Sequence, residues 1–300
     1  MKRLNKYFAI FAALFFIGCG TAPSKDREVS VQQSIATNQQ EIPRLLLIKD
    51  SQEIAPFYGL LESNPGGAST PIMYSGAAGL AGLLAQVLTH AAIANQAQND
   101  ALSKEQQASN LVLKNYDEYI KANTKQSFFA NALSSVNVPT VQLGLIQPSK
   151  ILDGMLIVDS LPVFYLSQDE GSIVIKHHIK VYYSHSPDEL LFENMAKVIS
   201  KPIVVSENNN IWLVGDGKLF SDTTHQLYNI SLEFLIKDFY KFLDASESNK
   251  THKYYIGGKK FYVRGALVLD DCNGKAIRNL KGNIVVVDFE KCSLNTANNI

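Results

Sequence analysis

Alternation dominates the central third of the chain. Between Ser172 and Ser184, Ile173, Ile175, His177, Ile179, Val181 and Tyr183 fall on one face of an extended segment, and Val174, Lys176, His178, Lys180 and Tyr182 on the other. A period of two with one apolar and one wetter face predicts a half-buried antiparallel strand. Met155 to Leu166 is a second long run, joined to the first by the polar turn Ser167 to Gly171; Pro162 predicts an edge stretch or a bulge within it. Leu190 to Val205 predicts a further strand, bent before Pro202, and Ile211 to Val214 a short one ahead of Gly215-Asp216-Gly217.

The period then changes. Thr223-x-x-Gln226 is a capping-box signature for a helix running to about Leu243, with Tyr228, Leu232, Leu235, Phe239 and Phe242 as its core-facing stripe. Phe261 to Leu269, Lys275 to Leu280 and Asn283 to Phe289 return to strand, and Asn273-Gly274 predicts a tight hairpin. Upstream, Arg44 to Lys49 is the first predicted strand, Phe57 to Glu62 a short helix or strand, and Leu111 to Leu113 a brief strand. Asn115 or Asp117 caps a predicted helix to Ser134, with Tyr116, Ile120, Phe128 and Leu133 in its core. The fold class expected is α+β: helices grouped in the N-terminal half, and a largely antiparallel sheet with one inserted helix in the C-terminal half. The folded domain is assigned to 43–293, followed by a polar tail, 294–300.

Ser63 to Asn99 carries no formal charge, only His90. Within it, Ile72 to Ala94 spaces Gly76, Gly79 and Gly82 by three, and small residues recur at intervals of four. That texture allows close backbone approach, as in membrane helix pairs. Gln86, Thr89, His90 and Asn95 are unfavourable in hydrocarbon, so a buried Ala-rich helix is the first reading and a membrane segment the second. The glycines do not have the spacing of a dinucleotide-binding loop.

At the N-terminus, Lys2, Arg3 and Lys6 precede the uncharged run Tyr7 to Ile17, then Gly18 and Cys19. This order is that of a secretory signal, too short to span a bilayer. With Cys19 directly after a small residue, the segment resembles a bacterial lipoprotein signal, although Phe16 stands where leucine is usual. The resemblance implies a signal peptide over 1–18, cleavage after Gly18, acyl chains on Cys19, and the lipid bilayer as a partner. Gly20 in place of an aspartate implies the outer membrane rather than the inner one, with the protein facing the periplasm. The polar stretch 19–42 reads as a flexible tether with a span of about 25 Å.

Charge and cysteines agree with export. The chain has 28 basic and 28 acidic residues, and losing Lys2, Arg3 and Lys6 leaves a slight acidic excess, which does not suit nucleic acid. Cys272 and Cys292 remain as an even pair in an oxidising compartment; a disulfide between them is expected, with two unpaired thiols as the alternative.

Catalytic patterns are weak. His177 and His178 are adjacent, so on a strand they face opposite ways and cannot share a metal. Zinc, calcium and nucleophile-elbow signatures do not occur, and no metal or cofactor is expected. His185 between two serines, His225 after Thr224, and the acidic pairs Asp270-Asp271 and Asp288 with Glu290 read as turn and helix-start residues. Trp212 with Tyr182, Tyr183, Tyr254 and Tyr255 suits either a glycan- or peptide-binding face or core packing. The functional expectation is a lipid-anchored, non-enzymatic binding or assembly factor with a protein partner in the envelope. The alternatives are a membrane-inserting or oligomer-forming lipoprotein using 72–94, and an envelope hydrolase.

Overall fold

The computed structural model describes residues 44–61, 104–203, 211–245, 248–271 and 274–289. The expectations for the signal, Cys19, the tether, Gly76, Gly79, Gly82, Cys272, Cys292 and the polar tail lie outside the described residues.

Ten strands form one sheet: β1 (Leu45–Lys49), β2 (Phe57–Gly59), β3 (Gln142–Ile146), β4 (Leu156–Leu166), β5 (Ile173–Tyr183), β6 (Leu190–Ser200), β7 (Lys250–Ile256), β8 (Lys259–Asp271), β9 (Gly274–Asn279) and β10 (Ile284–Phe289). Their order is β3-β1-β4-β5-β6-β10-β9-β8-β7, with β2 also on β4. Among the described residues the helices that pack on the sheet are α1 (Asp117–Ala122), α2 (Lys125–Ser135) and α3 (Val214–Phe239), and residues 104–109 are helical as well. Helices and a large sheet coexist as expected, and most of the sheet comes from the C-terminal half. The sheet is mixed, however, not largely antiparallel. β1 pairs in parallel with β3 and β4, β2 with β4, and β10 with β6. The reason lies in β10: its run Ile284-Val285-Val286-Val287 is buried on both faces, which suits an interior strand. Its hairpin with β9 satisfies one edge, and the other edge takes β6.

Pro162 behaves as a local edge. On the side of β4 away from β5, β1 covers Ile157 and Val158 and β2 covers Phe164 to Leu166. Pro162 sits in the gap between them, where a missing N–H costs no ladder bond.

Four local expectations are corrected. Asn110–Leu113 is a 3-10 turn, not a strand. The helix expected from Asn115 or Asp117 to Ser134 is two helices, because Thr124 breaks out in extended conformation and caps α2 by accepting from the Ser127 N–H; Leu133 then faces outward, 40% exposed. Ile211–Leu213 is a 3-10 turn, seated by the buried Trp212 indole, which donates to the Glu170 carbonyl. It runs straight into α3, whose first residues Gly215, Asp216 and Gly217 all have positive φ and form a kink before the regular helix. Thr223 therefore lies inside the helix rather than at its cap. Gly217 is required there, since a Cβ would meet the Tyr119 ring at 2.2 Å. Tyr228, Leu232, Leu235 and Phe239 are buried as expected, while Phe242 falls beyond the helix and is 48% exposed.

The main core lies between the sheet and the helices. Leu156, Val158 and Phe164 of β4, Ile175, Ile179 and Val181 of β5, and Phe192, Ala196 and Val198 of β6 pack against Phe128, Phe220, Leu227, Tyr228, Leu232 and Leu235. Each large apolar side chain buried there contributes about 1.5–3 kcal/mol. At its C-terminal end α3 is tied down by Asp238, which takes Arg278 of β9 at 2.6 Å and the Asn194 amide of β6 at 2.6 Å.

A second, smaller core sits on the opposite face. Val174 and Ile199 pack there with Tyr254, Ile256, Ile277, Val285 and Val287, so the β7–β8 hairpin curls back over β5 and β6. Its tip meets the β4–β5 turn: the Gly257 N–H donates to Ser172 Oγ at 2.8 Å and the Gly258 N–H to Asp169 Oδ2 at 2.6 Å. Asp169 also accepts from Ser167 Oγ and the Gly171 N–H. Burial pushes its carboxyl up, yet these donors hold it below the usual aspartate value.

Gly257 has φ +55°, and a Cβ there would lie 2.2 Å from the Asp169 carboxylate. Gly257→Ala is expected to lower stability by about 1–3 kcal/mol, measured as a drop in the urea midpoint. It should also speed amide exchange in β7 ahead of β5.

Candidate functional site

The wetter face of β4, β5 and β6 forms a trough, and the β7–β8 hairpin covers one end of it. Parity sets its composition. Asp159, Leu161, Val163 and Tyr165 come from β4, Lys176, His178, Lys180 and Tyr182 from β5, and Glu193, Met195 and Lys197 from β6. Register aligns them in rungs: Lys176 opposite Lys197, His178 opposite Met195, and Lys180 opposite Glu193.

At the open end the charges are matched. Asp159 receives Lys49 at 2.9 Å and the Tyr182 hydroxyl at 3.1 Å, with the Lys49 ammonium 5.1 Å from the Tyr182 ring centre. Burial pushes the Lys49 ammonium down, but Tyr182 and Asp159 together hold it above the ordinary lysine value. Glu193 takes His178 Nε2 at 3.0 Å and Lys180 at 3.5 Å. The His178 hydrogen bond, with Lys180, outweighs burial and keeps the Glu193 carboxyl below its usual range.

At the closed end lysines meet aromatic rings. The Lys197 ammonium donates to the Tyr254 hydroxyl at 3.2 Å and lies 5.2 Å from the Tyr254 ring centre and 5.9 Å from that of Phe261. Lys176 lies 4.8 Å from the Tyr165 ring centre. Burial, reinforced by Lys176, pushes the Lys197 ammonium down to about 8. Among the described residues no carboxylate reaches Lys197.

The other face holds a sealed polar cluster. His177 Nδ1 lies 2.6 Å from Ser231 Oγ and its Nε2 2.8 Å from Ser160 Oγ, which is 2.8 Å from the Tyr228 hydroxyl. The Tyr228 ring stacks on the imidazole with centres 4.8 Å apart. All four residues are buried. Burial, with His178 behind it, drives the His177 pKa down to about 3, so the ring is neutral at physiological pH. A serine, a histidine and a hydrogen-bonded partner do meet here, but among the described residues no carboxylate bonds the ring, and the four buried side chains satisfy one another's hydrogen bonds as a core network does.

Residues singled out in the sequence are scattered. His185 is exposed and stacks on Tyr183, and His225 of α3 packs edge-on against Phe128 of α2. Asp270 pairs with Lys275 at 3.7 Å across the β8–β9 ladder. The aromatic face is divided: Trp212 is buried in the main core, Tyr182 and Tyr254 stand at opposite ends of the trough, and Tyr255 points outward. Among the described residues no group of three or more metal-ligating side chains assembles. Sequence reasoning marked the β5 half of the trough but not Lys49, Asp159, Glu193 or Lys197. The signal for the last two was present: Glu193, Met195 and Lys197 alternate with the buried Phe192, Asn194, Ala196 and Val198.

His177 has a pH signature. Its folded-state pKa lies below that of the unfolded chain, so the unfolded chain binds the proton more readily. The stability this residue contributes is complete above about pH 6.5 and falls as pH drops toward 3, by at most about 1.4 kcal/mol per pH unit. His177→Gln is expected to cost about 1–3 kcal/mol near neutrality. In denaturant titrations it should flatten the acid side of the stability profile.

No protein-family model, curated protein or solved structure matches this chain, so its function is read from its own residues.

Proposed function

We propose that this is a lipid-anchored envelope protein of the outer membrane, facing the periplasm, that acts by binding rather than by catalysis. Acyl chains on Cys19 hold it to the bilayer, and 19–42 lets the folded body reach a partner or ligand near the surface. Two or more chains hold stably where one holds only marginally.

The trough carries the binding half of this reading. It is a polar face of β4, β5 and β6, covered at one end by the β7–β8 hairpin, where Lys197 is set against Tyr254 and Phe261. Among the described residues its carboxylates are Asp159 and Glu193, each already paired with a lysine, whereas a general base needs a carboxylate left open to its substrate. The Ser160–His177–Ser231 cluster, the arrangement closest in composition to a hydrolase site, is sealed in the core. Both observations favour binding over an envelope hydrolase. Among the described residues no helix is long and apolar enough to cross a membrane, and the membrane-inserting alternative rests on 72–94, outside that set.

Cys19→Ser is expected to shift the protein from the membrane pellet to the soluble fraction. Mass spectrometry of the wild type should find Cys19 at the amino terminus bearing fatty chains. Recovery of the wild type with an unmodified sulfur and an intact upstream segment would overturn the anchored reading.

A further inference from the structure

We propose that the outward face of the β7–β8 hairpin seats the folded body on an anionic phospholipid surface. This deepens the anchored reading above by naming the face that turns to the bilayer, and it rests on that reading for the nearness of lipid.

Strand parity builds the face. Tyr254 and Ile256 of β7 and Phe261 and Val263 of β8 point inward to the smaller core, so the residues between them point out. Register sets Lys253 opposite Tyr262 and Tyr255 opposite Lys260, with Arg264 two residues further along β8. Cations and rings thus alternate both along and across the hairpin. Lys253 lies 5.4 Å from the Tyr255 ring centre, and Lys260 5.9 Å from that of Tyr262. Just past the end of β9, the Leu280 N–H donates to the Arg264 carbonyl at 3.3 Å, which places this leucine beside the same cations.

Two features set this surface apart from an ordinary solvated one. Its apolar groups are open, with Tyr262 62% and Leu280 63% exposed. Its charge is of one sign: among the described residues Lys253, Lys260 and Arg264 have no carboxylate partner, although the whole chain balances 28 basic against 28 acidic residues. Lysines on an edge strand often serve to block pairing with another chain. β8, however, is flanked by β7 and β9, so Lys260, Tyr262 and Arg264 have no edge to guard.

The occupant follows from this combination. Headgroup phosphates present a layer of negative charge that lysine and arginine meet at the surface. Tyrosine rings and a leucine suit the zone just beneath, where headgroups give way to acyl chains. A small soluble anion would satisfy the cations alone and leave Tyr262 and Leu280 in water. With Cys19 acylated, a tether spanning about 25 Å keeps the hairpin close to the headgroups, and that nearness populates contacts too weak to form between free molecules. Each cation at an anionic surface contributes roughly five-fold in partition, and the three together about a hundred-fold.

The test uses the full lipidated chain, reconstituted into vesicles of phosphatidylcholine alone or of phosphatidylcholine with phosphatidylglycerol. Anchoring through Cys19 is common to both, so a difference between them reads the body's own contact. Hydroxyl-radical oxidation, mapped by mass spectrometry, reports which side chains are covered. Tyr255, Tyr262 and Leu280 are expected to oxidise about five-fold more slowly, or slower still, on the anionic vesicles. Tyr183, at the far end of β5, should be unchanged. Raised salt should remove the protection. The triple variant Lys253→Gln/Lys260→Gln/Arg264→Gln should lose it while melting like the wild type, since all three side chains are exposed.

Equal oxidation on the two kinds of vesicle, or protection that survives the triple substitution, would overturn the assignment. So would protection of these residues by RNA or an anionic polysaccharide with none by vesicles, which gives the face to another partner. Failure of the footprint with fatty chains present on Cys19 removes the hairpin contact and leaves the anchored reading standing. A bare Cys19, with the protein still sedimenting on anionic but not neutral vesicles, does the opposite.

Discussion

Alternation along β4, β5 and β6 is the constraint from which the rest of the molecule follows. Eleven residues in each of these strands put aliphatic side chains on one side and charged ones on the other. A one-residue slip would move the lysines into the core and the isoleucines into water. Register is therefore strongly determined, and with it the placement of everything that touches either face. α3 must lie across the apolar side, while the polar side has to remain accessible to water, ions or ligand over most of its length.

Two buried polar arrangements set how α3 lies there. Apolar packing alone tolerates sliding and rotation of a helix on a sheet. His177 bonded to Ser231 on one side and Ser160 on the other fixes the rotation of α3 near its middle. Asp238, bridging Arg278 and Asn194, fixes its far end against β9 and β6. Breaking either would leave a buried group without its partner, at a cost of a few kcal/mol. Both ties thus discriminate between alternative helix positions more than they add net stability. They also link the N-terminal strands of the sheet to the C-terminal ones through a single helix.

Legibility in the sequence tracked how local the determining forces are. The long strands were visible because their pattern is internal to each segment, and the opposed faces of His177 and His178 followed from the same period. The helical stripe of Tyr228, Leu232, Leu235 and Phe239 was visible for the equivalent reason. What was hidden depended on distant partners. Lys250–Ile256 lacks a clean apolar alternation, and it becomes a strand by pairing with β8. Residues 211–214 have strand-forming composition, yet the indole of Trp212 reaches the Glu170 carbonyl and turns the chain there. The parallel placement of β10 beside β6 is a topological choice with no local mark beyond a strand apolar on both sides. The trough was half legible: its β5 wall could be read directly, but the alignment of Asp159, Lys180 and Glu193 across it emerges only when three strands are set in register.

The junction of Asp169 with Gly257 and Gly258 has an evolutionary corollary. One short side chain spans two reversals of the chain that are far apart in sequence, so neither loop is free to change length alone. An extra residue in 167–172 would demand a compensating change around 257–258, or the hydrogen bonds from Gly257 and Gly258 would be lost. Drift in size among descendants of this protein should accordingly accumulate at other bends, such as the connection between β5 and β6, and spare these two.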